Sequence, residues 1–303
     1  MSRLPAGFRA LMAGRPPEPD VSGDDWLAVL PALIQDALAR WQLSPVADSR
    51  FGHCALVVPV AREDGSAAAL KVAWPHAESR HEHLALRAWD GRGAARLLAA
   101  DPGTSTLLLE WLDPDRDLLG EPIDVACATI GSLLRDLDRP ALPQVERLSA
   151  WVARHRGDLA GGGVSAVPRR LVVQALASVD DLLSGPDGAG ADARLVHTDL
   201  HFANVLAGRR GWTAIDPKPM AAEPAFGVWP ALHNRWDEVA GEPAWAIHQR
   251  LGWICDAAGI DEDRARAWSL IRTVTDAIDA ARRGDDQTVT ARITLAKALS
   301  QRF

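Results

Sequence analysis

"RLVHTDLHFANVLAGRRGWTAIDPKP", residues 194–219, sets His197, Asp199, His201, Asn204 and Asp216 around two short apolar runs of β-forming residues. The runs at 205–207 and 212–215 flank "GRRG", a loop of the length that closes a hairpin. Folding about that loop sets position 204 opposite position 215. Asn204 and Asp216 then meet at the open end, where cross-strand neighbours lie about 5 Å apart. Two oxygen donors so spaced suit a hard cation such as Mg²⁺. Asp199 precedes Asn204 on the loop that feeds the same end. Three readings compete: a metal-hydrolase site, a phosphotransfer site, or a capped loop followed by a hairpin with polar ends.

The surrounding chain weighs between them. A zinc centre would use the alternating His197, Asp199 and His201, and it needs a further cluster, for which only "HAESRHEH" at 76–83 is available. Phosphoryl transfer needs an acid that receives or orients the acceptor proton, oxygen ligands for magnesium, and a cation on the phosphates. The strand-like run "AAALKVAW" at 67–74 supplies Lys71, and the helix-like stretch at 76–89 behind it offers Glu78 and Glu82 to hold the ammonium. Lysine is scarce here: Lys71, Lys218 and Lys297 are the only three in a chain of 33 basic residues.

The coarse pattern is α+β. Residues 24–43 read as an amphipathic helix capped by Ser22 or Asp24. The runs at 53–61, 67–74, 95–100 and 105–112 read as antiparallel strands interrupted by the helix at 76–89. From position 122 the periodicity is helical over 122–138, 144–158, 168–184, 228–239, 243–258, 261–282 and 287–301. The division expected is an irregular Pro/Gly-rich segment at 1–24, a small sheet lobe at 25–112 that binds nucleotide, and a helical lobe at 113–303 carrying the catalytic loop and the substrate site.

With "AALKV", "HEHLALRAWDGRGAARLL", "LLLEWLD", "HTDLHFANVL", "AIDPKP" and "EPAFGVWPALHNRW" in this order, the chain resembles the aminoglycoside and hydroxyurea antibiotic resistance kinases. The resemblance covers about residues 25–280. It implies a two-lobed protein-kinase-like fold, with a small antiparallel-sheet N-terminal lobe and a larger helical C-terminal lobe. It further implies a phosphotransferase that uses ATP or GTP with Mg²⁺. Asp199 becomes the catalytic base, Asn204 and Asp216 the magnesium ligands, Lys71 the cation on the α/β-phosphates and Glu82 its partner. Glu110, Trp111 and Leu112 become the adenine-binding hinge. The acceptor implied is a small cationic aminoglycoside of the streptomycin type; alternatives are hydroxyurea, another small metabolite, or a pseudokinase-like nucleotide-binding module.

Two departures stand out. The phosphate-covering turn "DSRFGHCALVV" has Gly52 as its only glycine, and where the family runs Gly-Asp-Pro-x-x-Asp this chain has Ala222-Glu223-Pro224-Ala225-Phe226-Gly227. Gly227 lacks the carboxylate expected to brace the catalytic loop.

A formal charge of -7 argues against nucleic acid as a partner and favours a cationic ligand. Acids at 237, 238, 242, 256 and 261–263 place negative charge in the helical lobe. Trp229, Trp236, Trp253 and Trp268 read mainly as core, Arg209 and Arg210 as an exposed hairpin tip, and His76, His81 and His83 as a solvated helix face. Cys54, Cys127 and Cys255 are too scattered for a disulfide framework, and no apolar run is long enough to span a membrane. A cytoplasmic protein that binds no membrane is the expectation.

Overall fold

The computed structural model describes residues 4–18, 20–184, 190–239 and 241–301. The chain forms two compact units: Met1–Asp115 with Ala207–Asp216, and Arg116–Leu206 with Pro217–Phe303.

In the first unit, helices α1 (Ala6–Met12) and α2 (Gly23–Arg40) precede strands β1 (Ser44–Pro45), β2 (Arg50–Phe51), β3 (Ala55–Ala61) and β4 (Ala67–Ala73). Helix α3 (Glu82–Trp89) interrupts the sheet, which resumes as β5 (Leu97–Asp101) and β6 (Thr106–Glu110). The strands run in the order β1-β3-β4-β6-β5, with β2 pairing onto β3. Successive strand residues face opposite sides, so Leu70 and Val72 join Leu56, Val58 and Val60 in the core while Lys71, between them, points the other way. Ser22 caps α2 by accepting the backbone N–H of Asp25.

The segment expected to be irregular contains α1. Its Phe8 and Met12 sit one turn apart and are fully buried against Trp26 and Leu30. Each such side chain contributes about 1.5–3 kcal/mol of burial, which outweighs the helix-poor composition around it. The helix expected over 76–89 is shorter: a 3₁₀ turn at Ala77–Ser79 comes first and α3 begins at Glu82.

Strand β7 (Asp113–Asp117) leads into the second unit, where α4 (Ile123–Asp136), β8 (Arg139–Pro140), β9 (Glu146–Arg147), α5 (Leu148–Ala160), α6 (Arg169–Ser184) and β10 (Arg194–His197) follow. Strands β11 (Val205–Gly208) and β12 (Gly211–Ala214) form the hairpin read from the sequence, with a two-residue Arg209–Arg210 turn in place of the four-residue loop; from Ala207 to Asp216 it belongs to the first unit, and β13 (Pro219–Ala222) returns to the second. The unit ends with α7 (Trp229–His233), α8 (Pro243–Ala258), α9 (Glu262–Arg283) and α10 (Asp286–Leu299). Its sheet has the order β8-β10-β13-β9, and His197 lies opposite Pro219 in the antiparallel β10/β13 pair.

Strand β13 went unread because it is four residues long and opens on proline. The helix expected over 144–158 starts at 148 because 146–147 pair in parallel with β13. The helix expected over 228–239 stops at His233. Arg235 adopts the left-handed conformation (φ 54°), from which its guanidinium donates to the carbonyls of Leu118 and Glu121 and to the Glu238 carboxylate. Among the described residues no helix is long and apolar enough to cross a membrane.

Candidate active site

In the first unit, the lysine that β4 turns away from the core finds two carboxylates. Lys71 Nζ lies 2.6 and 2.8 Å from the two Glu82 oxygens and 2.6 Å from Asp216 Oδ1. Lys71 and Glu82 are buried, at 6% and 3% exposure, whereas the Asp216 side chain is half exposed. Burial alone would lower the Lys71 pKa, but the charges of Asp216 and then Glu82 overcome it and hold the ammonium above its ordinary value. Glu82 is pushed up to about 7, chiefly by burial and against the pull of Lys71, with the Asp216 charge adding to the rise. The two shifts oppose each other because one cation serves two carboxylates. Lys71 stays firmly charged, and Glu82, the buried acid, is the carboxylate driven toward its protonated form. Of the two glutamates offered by the sequence, Glu82 places both its oxygens on Lys71.

Asp216 ends the hairpin in the left-handed conformation (φ 54°). Non-glycine residues rarely adopt it, aspartate and asparagine being the most tolerant, and its strain of order 1–3 kcal/mol is typical of functional sites. At the end of β6, the Glu110 carboxylate accepts the Arg96 backbone N–H at 2.7 Å and pairs with Arg210 at 3.0 Å. Arg210 is therefore an anchored residue and not a bare hairpin tip. Leu112 is buried and Trp111 partly so. The glycine-poor turn closes with Gly52 N–H donating to the Ala55 carbonyl at 3.0 Å.

In the second unit, β10 delivers His197 and the loop beyond it. The Asp199 N–H donates to Nδ1 of buried His197 at 3.2 Å, and Nδ2 of Asn204 donates to the Asp199 carbonyl at 2.9 Å. Asn204 spends its amide hydrogen within the loop, which leaves the amide oxygen as the end suited to a cation. The Asp199 carboxylate lies 3.1 Å from Lys218 Nζ and 4.0 Å from His201 Nε2. Sequence reasoning counted Lys218 as one of three lysines but gave it no role; its position two residues beyond Asp216 was the available signal.

Packing leaves no room for a side chain at 227. A Cβ at Gly227 would lie 2.9 Å from Val196 Cγ1 and 3.1 Å from Leu134 Cδ2, so the backbone packs where the family's aspartate would stand. The loop is braced from α9 instead. Arg272 donates to the carbonyls of Thr198 at 3.0 Å and Phe226 at 2.9 Å, and lies 4.6 and 4.4 Å from the Phe226 and Trp229 ring centres. Glu223 is locked by two 2.7 Å bonds from Arg264 and one from the Trp268 indole.

Among the described residues no three His, Cys, Asp or Glu side chains converge on a possible metal position, so the zinc reading lacks its ligands. The residues at 76, 81 and 83 are partly buried rather than a solvated face. The Asp216 carboxylate and the Asn204 amide oxygen are each hard oxygen donors of the kind that Mg²⁺ takes.

Known proteins agree with this chemistry. A streptomycin 6-kinase from Streptomyces glaucescens is 38% identical over 91% of this chain and 91% of its own length. A hydroxyurea phosphotransferase from Kitasatospora aureofaciens is 41% identical over 84% of this chain and 74% of its own. A choline/ethanolamine kinase family protein from Mesorhizobium loti superposes with a TM-score of 0.62 at 14% identity, covering 89% and 95% of the two chains. It shows the protein-kinase-like fold. The family model described as aminoglycoside/hydroxyurea antibiotic resistance kinase matches residues 40–284. On a match of that extent, the chain belongs to the aminoglycoside/hydroxyurea antibiotic resistance kinases and is an ATP-dependent phosphotransferase acting on hydroxyl groups.

Proposed function

We propose that the protein phosphorylates a hydroxyl of a small cationic aminoglycoside of the streptomycin type, with Mg²⁺·ATP as donor. One observation carries the reading of the donor side: the buried pair of Lys71 and Glu82, with bonds of 2.6 and 2.8 Å, holds an ammonium charged 2.6 Å from the half-exposed Asp216 carboxylate. Such a cation is suited to phosphate oxygens. Glu110, Trp111 and Leu112 are assigned to the adenine-binding hinge on the family's pattern.

Asn204 and Asp216 would hold magnesium, which when bound would supply positive charge to offset that of the phosphates. Asp199 accepts the hydrogen bond of the acceptor hydroxyl and takes up its proton as the new O–P bond forms. Its backbone is fixed on both sides, by His197 and by Asn204, so little motion is needed to present the carboxylate. Positioning and fixed charge then supply most of the rate.

Replacing Asp199 by Ala is expected to abolish labelled γ-phosphate transfer to streptomycin while nucleotide affinity stays within about threefold of wild type, because the carboxylate is assigned to the acceptor hydroxyl and not to the nucleotide. Transfer near the wild-type rate in D199A would overturn the assignment. A hydroxyurea acceptor is the second reading, motivated by the 41% identical relative. A panel of aminoglycosides and hydroxyurea offered to the wild-type enzyme separates the two by kcat/KM.

A further inference from the structure

Lys218 lies 3.1 Å from Asp199, and its backbone is held independently of that contact. Its carbonyl accepts both the Thr198 N–H, at 3.0 Å, and the Thr198 hydroxyl, at 2.9 Å, directly beside the β10/β13 ladder. Asp199 and Lys218 thus follow and precede residues locked together, and the two side chains are presented to each other by the sheet.

Stability does not account for this arrangement. The side chains are 36% and 27% exposed, and ion pairs open to water contribute little. The residue type is also informative. In a chain that uses arginine nearly everywhere, Lys71 and Lys218 are two of only three lysines. A guanidinium beside Asp199 would settle into a bidentate pair with the carboxylate. An ammonium is a compact charge with three rotatable donors, able to hold one carboxylate oxygen and a phosphate oxygen together.

Building on the kinase reading above, we infer that Lys218 is a further catalytic residue, whose ammonium contacts the phosphoryl group in flight while still bonded to Asp199. In the step it serves, the acceptor oxygen forms a bond to the γ-phosphorus as the bond to the β,γ-bridging oxygen breaks. That electron pair leaves with ADP, and the acceptor proton passes to Asp199. Lys218 keeps its proton throughout and offsets charge on the transferring oxygens, which ties the group to the carboxylate that orients the acceptor.

The test compares wild type, Lys218→Met and Lys218→Arg, with Asp199→Ala as control. K218M should lower kcat by about 10²–10³-fold, the scale of removing one transition-state donor, while KM for ATP and for the acceptor moves less than threefold. K218R should recover at least tenfold of the loss. A readout apart from turnover is ADP affinity, measured calorimetrically with magnesium and acceptor, with and without fluoroaluminate as a mimic of the transferring group. Wild type should bind ADP more tightly with fluoroaluminate, and K218M should lose that gain while binding ADP alone as wild type does. The exposed pair predicts that both variants melt with wild type; should K218M melt early, K218R carries the comparison, retaining more of the fluoroaluminate gain than D199A. A kcat in K218M within threefold of wild type, equal losses in K218M and K218R, or an intact fluoroaluminate gain in K218M would each overturn the role of Lys218. Wild type that transfers phosphate to no acceptor and shows no such gain would instead overturn the kinase reading and the inference with it.

Discussion

At Lys71 a single buried cation answers two carboxylates, and the energetic consequence is asymmetric. Removing it strands Glu82 in the interior without a counter-charge, a change that costs about 3–5 kcal/mol when one partner of a buried pair is lost. The loss should depend on pH. Glu82 titrates near 7 in the fold against an ordinary 4.5, so between those values the folded chain holds a proton that the unfolded chain has released. Stability therefore falls as pH rises through that window. Lys71→Met removes the attraction that opposes the rise, extends the window above pH 7, and should enlarge the deficit from pH 6 to pH 8 by up to about 1.4 kcal/mol per unit. Adding Glu82→Gln should restore most of the stability but none of the turnover. Thermal unfolding at the two pH values checks this; a pH-independent deficit, or a double variant no more stable than K71M, would contradict it. Chain order and residue type narrowed the partner of Lys71 to Glu78 or Glu82, and the family resemblance singled out Glu82. The sharing with Asp216 was not legible, since it depends on a left-handed backbone at residue 216 that no sequence pattern announces.

The elements show why some of the fold was readable and some was not. Helices α2, α4, α6, α8, α9 and α10 carry their own periodicity, so each was found to within a few residues of its ends. Helix α1 and strand β13 exist through partners supplied by distant segments: Phe8 and Met12 by α2, and β13 by β10 and β9. The same distinction applies to the brace of the loop that carries Asp199. Gly227 was read as a lost carboxylate because its neighbourhood could not be seen, whereas Arg272 stands 45 positions later, on α9, and reaches both Thr198 and Phe226. Restoring aspartate at 227 should therefore harm the protein. Its Cβ would meet Val196 at 2.9 Å, and overpacking a filled site costs about 1–3 kcal/mol before any charge is buried. Arg272→Met keeps much of the packing against Phe226 and Trp229 but removes both carbonyl contacts, and should lower kcat by tenfold or more with nucleotide affinity unchanged. Unfolding midpoints and steady-state kinetics together decide; a G227D variant with wild-type stability would refute this account of the brace.

For the molecule as a whole, net charge and its distribution bear on the acceptor. Much of the acidic character expected of the helical lobe is spent internally: Glu238 pairs with Arg235 and Arg250, Glu262 and Asp263 pair with Arg266, and Asp261 caps α9. Asp237, Glu242 and Asp256 are exposed. The chain nevertheless carries -7 overall, so a polycationic acceptor is drawn toward it and an uncharged one is not. Salt screens that attraction, the Debye length shrinking from about 10 Å at 0.1 M to about 3 Å at 1 M. If the acceptor is an aminoglycoside, its KM should rise severalfold between 0.05 and 0.5 M potassium chloride, with kcat nearly constant because the chemistry proceeds on an already bound pair. Hydroxyurea, being neutral, should show a flat KM over the same range. ATP is anionic, and its own salt response is removed by holding Mg²⁺·ATP at saturation throughout the titration. A flat KM for every aminoglycoside that is turned over would mean that recognition rests on hydrogen bonds and shape, and that the acidic balance of the chain plays no part in choosing its substrate.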